Sequence, residues 1–456
     1  METIKFETYP LRYLAQITFE ARTPLSLSSG ENDIETDSVI LKDVNGLPVI
    51  PGTSIAGVFR AAFNEPEKNE VKNMFGFQDQ ENDDGIGSRL IFSDAVFVGK
   101  TGEAVEGLVS LNWEDPFYNK FLSLPIRQHV RISHTGGINP NQRGKFDEQV
   151  VYSGTRFRCE IELIGNEDDT SQWEKIKQIG FGSELRIGGG TCRGFGDLAV
   201  FSWLENVFDL TDPEQRRRYL TKTASMNDAT GLAPVSDISD QINRDAWTEY
   251  RLELTPENFW YFGSGFGDDE ADITPVYEEQ ILWENDQPSF TQKKLLIPAS
   301  SVKGAVSHRV AFHYNRLKEN FADDMDTNDM AQHAGGNNTA VRMLFGCDLD
   351  DQIQKGSVIF SDLYMDAAST KIFNHVSIDR FTGGSLDSAL FEEKVPYGAL
   401  PLPSMHILVK TDVLADRQIK SALENTFDDL TKGYLPLGGG VMRGHGAFTG
   451  TWQEVK

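Results

Sequence analysis

Ile50-Pro-Gly-Thr-Ser-Ile-Ala-Gly-Val-Phe-Arg60 returns later in the chain as Ile297-Pro-Ala-Ser-Ser-Val-Lys-Gly-Ala-Val-Ser307. Each reads as a proline turn running into a helix. In the first, Thr53 or Ser54 can accept the first free N–H groups. Ile55, Val58, Phe59 and Ala62 then recur at three- and four-residue steps, which puts them on one core-facing side as far as about Phe63. Three further patterns repeat in the same order. Phe75-Gly76 leading to Ile91-Phe-Ser-Asp94 is matched by Phe345-Gly346 leading to Ile359-Phe-Ser-Asp362. His129-Val-Arg-Ile-Ser-His-Thr-Gly-Gly-Ile138 is matched by His375-Val-Ser-Ile-Asp-Arg-Phe-Thr-Gly-Gly384. Gly188-Gly-Gly-Thr-Cys-Arg-Gly-Phe-Gly196 is matched by Gly438-Gly-Gly-Val-Met-Arg-Gly-His-Gly446. One match is chance; four in the same order are a duplication. The second copy is longer, with 315–340 as the evident insertion.

Working outward, Leu11 to Phe19 alternates like a half-buried strand. Further strands are expected at 89–97, 157–163 and 197–203. A helix is expected at about 171–180, where Trp173, Ile176 and Ile179 share a face, and its counterpart at 413–430. Strand, helix, strands, helix, strand is an α+β, ferredoxin-like (RRM-like) order, with helices on one face of an antiparallel sheet and the other face open to a ligand. The expected division is a first domain over 1–204, a linker over 205–247, where alternation is lost, and a second domain over 248–456.

Length agrees, because a single apolar core stops growing at roughly 250–300 residues and this chain has 456. At 39% hydrophobic and 25% charged residues, both halves can bury a core. Cys159, Cys192 and Cys347 are too scattered for a disulfide framework or a CxxC zinc site, so reduced thiols are expected. No window resembles a membrane span and the start lacks the apolar core of a secretory signal, so a cytoplasmic protein with no membrane partner is expected. The net charge of −26 argues against nucleic acid. The acids concentrate in runs (80–84, 267–272, 322–329), however, which leaves room for a basic strip on an acidic body.

The paired runs GGGTCRGFG and GGGVMRGHG, each between a helix and a last strand, resemble the glycine-rich loop of the RAMP superfamily of CRISPR proteins. They lack the Lys-Ser/Thr of a nucleotide-binding P-loop. LPVIPGTSIAGVFRAAF and LLIPASSVKGAVSHRVAF resemble the helix start of the type III backbone subunits, and INPNQRGKFDEQV resembles the family's thumb hairpin, which inserts into the guide–target duplex. With two modules in one chain, the protein looks like a fused form such as the type III-D variants. The resemblance covers about 11–204 and 249–452.

The resemblance implies two tandem RAMP domains with glycine-rich loops and thumb insertions, bound to a CRISPR RNA guide, complementary target RNA and other effector-complex subunits. It also implies an RNA-guided endoribonuclease dependent on a divalent metal (Mg2+ or Mn2+), with a catalytic aspartate before the helix start, followed six residues later by Asp or Glu. Asp37 with Asp43 fits, although Val39 replaces the usual proline. Asp272 with Glu278 fits with its proline moved to Pro275, and Asp268 or Asp269 are alternatives. Asp37 and Asp272 are thus the catalytic and metal candidates. An in-line attack by the RNA's own 2′-OH needs only orientation and charge neutralisation at the phosphate.

The candidate RNA contacts are Gly188, Gly189 and Gly190, with Gly438, Gly439 and Gly440, as close-approaching backbone. Arg193 and Arg443, with Arg186 beside the first loop, are candidate phosphate partners. Ser54, Arg60, Arg131, Ser301 and Lys303 complete the set, with Arg60 compensating for Ala56 in the place of Lys303. Competing readings are a structural guide-binding backbone with one or both sites inactive, a guide-processing endonuclease using His129, His134 or His375, and a carbohydrate- or protein-binding duplicated module. The acidity of 315–340 points to a protein partner.

Overall fold

The structure is a computed structural model that describes residues 8–30, 36–63, 68–79, 84–133, 137, 144–182, 185–236, 238, 246–349, 352–366 and 368–455. His134 and most of the first thumb tip lie outside the described residues.

Module one contains β1 (Leu11–Ala21), α1 (Gly52–Phe63), α2 (Lys68–Phe75), β2 (Leu90–Phe92), a hairpin of β3 (Ile126–Val130) and β4 (Lys145–Gln149), then β5 (Arg156–Gly165), α3 (Thr170–Phe181) and β6 (Leu198–Asp209). Its sheet runs β6-β1-β5-β2, all antiparallel. A short helix, α4 (Pro213–Thr221), follows. Module two repeats the plan with β7 (Trp247–Pro256), α5 (Ala299–Leu317), α6 (Thr339–Phe345), β8 (Val358–Phe360), a hairpin of β9 (Thr370–Ile378) and β10 (Ser385–Pro396), β11 (Met405–Lys410), α7 (Arg417–Thr431) and β12 (Phe448–Val455). Its sheet order, β12-β7-β11-β8, is the same. These are two tandem ferredoxin-like domains, each with a hairpin between its second and third core strands.

Alternation explains the cores. Tyr13, Ala15, Ile17 and Phe19 point to the side of β1 covered by Ile55 and Phe59 of α1 and by Trp173 and Ile176 of α3. Burying each large side chain contributes about 1.5–3 kcal/mol. In module two, Tyr250, Leu252 and Leu254 meet Val302 and Val306 of α5 and Leu423 and Phe427 of α7.

The repeated Ile-Phe-Ser-Asp pattern has a structural cause. Asp94 Oδ1 accepts the Gly52 N–H, and Asp362 Oδ1 accepts the Ala299 N–H, each at 2.8 Å. A distant aspartate therefore caps the first helix of each module, and Thr53 and Ser54 lie inside α1 instead of capping it.

The stretch 205–247 is folded well beyond residue 205. β6 continues to Asp209, α4 follows, and Ala233–Pro234 pairs with β6. This segment closes the sheet face that was expected to stay open in module one. Leu14 packs with Phe208, Leu210, Tyr219 and Leu232, Lys222 meets Glu160, and Arg158 bonds Met226 O and Asn227. On module two the matching face is polar and solvated, with Glu249 between Arg251 and His406. No helix among the described residues is long and apolar enough to cross a membrane. The three cysteines form no disulfide.

Arg127 of β3 joins the modules. Its guanidinium reaches Glu278 Oε1 at 2.5 Å and Asp362 Oδ2 at 2.6 Å, and all three side chains are buried. Lys120 pairs with Glu279, and the Trp283 indole donates to Gly154 O.

Candidate nucleic-acid interface

The two glycine-rich loops have one backbone shape. Gly188 and Gly438 have φ of 88° and 89°, and Gly190 and Gly440 have φ of 66° and 69°. Only glycine adopts these values without strain. A side chain at Gly188 would also strike Ser26 O, and one at Gly438 would strike Tyr261 O. Gly189 and Gly439 donate their N–H groups to those same carbonyls at 2.7 and 2.8 Å, so they hold the loop and are spent as phosphate donors. The N–H groups of Gly188, Gly190, Gly438 and Gly440 meet no acceptor among the described residues, so four of the six glycines keep the capacity expected of them.

Each loop is tied to its hairpin through a glutamate that sequence reading missed. Glu148 of β4 and Glu393 of β10 are 5% and 0% exposed. Glu148 meets Arg193 at 3.3 Å, accepts from Ser26 Oγ at 2.6 Å, and lies 2.9 Å from His129 Nε2, without the alignment of a good hydrogen bond. Glu393 meets Arg443 and accepts from His375 Nε2 at 2.9 Å. His129 stacks on Phe146 and His375 on Phe391, both at 4.9 Å. Burial pushes each glutamate up, but the close His129 and the Ser26 hydroxyl, or Tyr261 and His375, together with the nearby arginine outweigh it and leave both below the ordinary value. One Nη of each arginine is committed here, while the rest of each fork is partly exposed. Arg186 differs: it is buried against Asp197 and Ser361 of module two, so it serves the junction and faces no strand.

The residue before each glutamate carries a second repeated feature. The Asp147 N–H donates to Asp37 Oδ2 at 3.1 Å, and the Asp37 N–H returns a bond to Asp147 Oδ1 at 2.9 Å. In module two, the Glu392 N–H donates to Asp272 Oδ2 at 2.9 Å. Asp37 and Asp272 are therefore equivalent in accepting a hairpin N–H as well as by spacing, and both are exposed; a second carboxylate takes part in the contact in module one, where Asp147 Oδ1 accepts the Asp37 N–H. Asp43, six residues on, ties a turn through the Asn45 and Leu47 N–H groups, and Glu278 serves Arg127, so neither second acid belongs to the site.

No group of three or more His, Cys, Asp or Glu able to hold a metal occurs among the described residues. The donor set nonetheless fits a hard cation. Asp37 and Asp147 each keep one oxygen that accepts from no described donor, and Mg2+ commonly takes one or two carboxylates together with substrate phosphates. The surroundings differ between modules. Lys394 pairs with Asp268 at 2.7 Å and Glu270 at 2.5 Å, which pulls Asp268 below its ordinary value. The matching position in module one is Gln149, whose side chain accepts from the Ile40 N–H.

In the last turn of α1, Arg60 donates to Gly76 O at 2.9 Å, and near the start of α5, Lys303 donates to Phe345 O at 3.3 Å. These carbonyls end the equivalent helices α2 and α6, so the two cations compensate for each other in position. Burial lowers the Lys303 pKa, and Cys192 and Arg193 of module one lie within electrostatic reach. A side chain at Gly194 would meet the Ala299 Cβ at 2.5 Å. Arg193 and Lys303 thus come together at the module junction, and Ser301 is exposed in the first turn of α5. Ser54 belongs to the first turn of α1, and Arg131, exposed at the end of the first hairpin, has no acidic partner among the described residues.

A duplicated ferredoxin-like domain with a rigid glycine loop and a projecting hairpin defines a class of RNA-binding protein. The RAMP superfamily model matches residues 18–199 and again 243–449. The chain belongs to the RAMP superfamily, which carries a CRISPR-associated RNA-binding role. Comparison with curated proteins gave no significant match.

Proposed function

We propose that this chain is a fused backbone subunit of a type III CRISPR effector complex that holds the guide RNA and cleaves complementary target RNA at two positions, one per module. The observation that carries this reading is the repeated bond from a hairpin N–H to an exposed aspartate, Asp147 to Asp37 and Glu392 to Asp272, each donor next to the glutamate that anchors a loop arginine.

The free N–H groups of Gly188, Gly190, Gly438 and Gly440 and the uncommitted parts of Arg193 and Arg443 grip guide phosphates, with Lys303 at the junction. The hairpins bend the target so that a 2′-OH lies in line with its own phosphate, and orientation supplies much of the rate. Asp37 with Asp147, and Asp272 with Glu392, would hold a divalent ion, which when bound neutralises charge on the phosphoryl oxygens and the leaving 5′-oxygen. His129 and His375 are anchored on buried glutamates and stacked on phenylalanine, which favours a positioning role over proton transfer. Partner subunits meet the module-two face where Phe373 and the fully exposed Met442 stand.

The test is cleavage of labelled complementary RNA by the reconstituted complex, comparing wild type, Asp37→Ala, Asp272→Ala and added chelator. Each substitution is expected to remove one product, and chelator both; cleavage unchanged throughout would sink the metal–aspartate reading. A silent second site is the alternative, favoured by the different surroundings of the module-two loop, where Lys394 pairs with Asp268 and Glu270, and retention of all products in Asp272→Ala alone would establish it.

A further inference from the structure

A cavity of about 910 Å³ opens between the end of the module-one hairpin, at Arg131 to Ser133, and α5 of module two with the insertion that follows it. His308 Nε2, 3.3 Å from Ile132 O, joins the two walls. Its chemistry departs from that of the chain. The protein has 69 acidic residues and a net charge of −26, yet among the described residues no Asp or Glu lines this cavity. Of the acidic run at 322–329, Ala322 and Met325 line the wall. Two cations do line it, Arg131 and Arg316, and neither has a carboxylate partner among the described residues. Phe312 and Phe321, 50% and 48% exposed, also line it, with the Arg309 guanidinium 4.6 Å from the Phe312 ring centre.

Unpaired arginines beside exposed aromatic rings are what a single-stranded polynucleotide needs, namely phosphate neutralisation and a stacking surface for one base. The cavity is also continuous with the guide-binding junction: Lys303 bonds Phe345 O, and the next residue, Gly346, lines the wall. We propose that this cleft receives an unstacked nucleotide of the RNA strand that crosses the module junction, its base against Phe312 and Phe321 and its phosphate between Arg131 and Arg316. The inference rests on the RNA-binding reading above and adds to it a subsite belonging to module two alone, because the insertion that forms it has no counterpart in module one. The protein partner expected for 315–340 from its acidity is the competing occupant.

The test incubates the full chain with single-stranded RNA carrying photoreactive thiouridine, maps crosslinked peptides, and measures affinity for wild type, Phe312→Ala/Phe321→Ala and Arg316→Glu. Crosslinks at Phe312 or Phe321 are expected. The double variant should bind roughly tenfold more weakly with its melting midpoint and its crosslinks at the glycine-rich loops unchanged. Arg316→Glu should weaken binding in a salt-dependent way. RNA bound and crosslinked only at the loops, with the double variant unimpaired, overturns the cleft and leaves the RNA-binding reading standing. An acidic peptide that occupies the cleft and resists displacement by RNA also overturns it. Failure of wild type to bind any RNA overturns both.

Discussion

The glycine-rich loop of module one is packed against a neighbour, and that of module two is open. Gly194 abuts Ala299, whereas Gly444, with the same handed backbone, has nothing within 4 Å of its would-be Cβ. The loop shape is therefore a property of the module, and its burial is a property of the neighbour. The contrast extends to the hairpins. Arg127, opposite Glu148, grips module two through buried carboxylates; Phe373, opposite Glu393, holds the same place in module two and packs on Phe259 and His445. One face is ionic because its partner lies in the same chain, and the other is aromatic.

The largest expected effect comes from breaking the ionic face. Arg127→Ala strands Glu278 and Asp362 as buried charges and should cost about 3–5 kcal/mol, while Phe373→Ala, at a half-buried site, should cost about 2 kcal/mol. Denaturation midpoints measure both, and equal costs would erase the distinction. Gly194→Ala and Gly444→Ala come next. Each carries roughly 1–2 kcal/mol of left-handed backbone strain, but Gly194→Ala adds overlap with Ala299 of about 1–3 kcal/mol. Calorimetry that ranks them equal would show that the loop does not bear on the junction.

The smallest effect is in acid. Burial raises the pKa of Glu393, but bonds from Tyr261 and His375 and the Arg443 charge lower it further, so its folded value lies below the ordinary 4.5. Its contribution is fully present above that ordinary value and is lost as pH falls through the folded one. Glu393→Gln should flatten the acid limb of stability against pH, and Glu148→Gln should do the same in module one. An unchanged slope would mean that these glutamates do not fasten loop to hairpin.

Much of this was legible in the sequence, for reasons that are local. Four repeated patterns announced the duplication, and the glycine runs, helix faces and Asp37 spacing depend on neighbours a few residues away. What stayed hidden depends on distant strands. Phe146-Asp-Glu148 and Phe391-Glu-Glu393 are a fifth repeat, detectable only once the hairpin register brings Phe146 opposite His129 and Phe391 opposite His375. The capping role of Asp94 and Asp362, the covering of the first sheet by α4 and residues 222–232, and the Arg127 junction all join segments far apart in the chain. Net charge misled because it averages over the surface, whereas a cleft presents only its own lining.

The proposed cleavage needs two sites that act independently, Asp37 with Asp147 and Asp272 with Glu392. The most direct measurement is the product pattern from complementary RNA in the reconstituted complex, with the hairpin acids changed: Asp147→Asn in one preparation and Glu392→Gln in another. Asp147→Asn is expected to suppress one product and Glu392→Gln the other, the first more strongly, because Asp147 and Asp37 are bonded reciprocally. Both products persisting at wild-type yield in both variants, or one substitution abolishing both cuts, would contradict it.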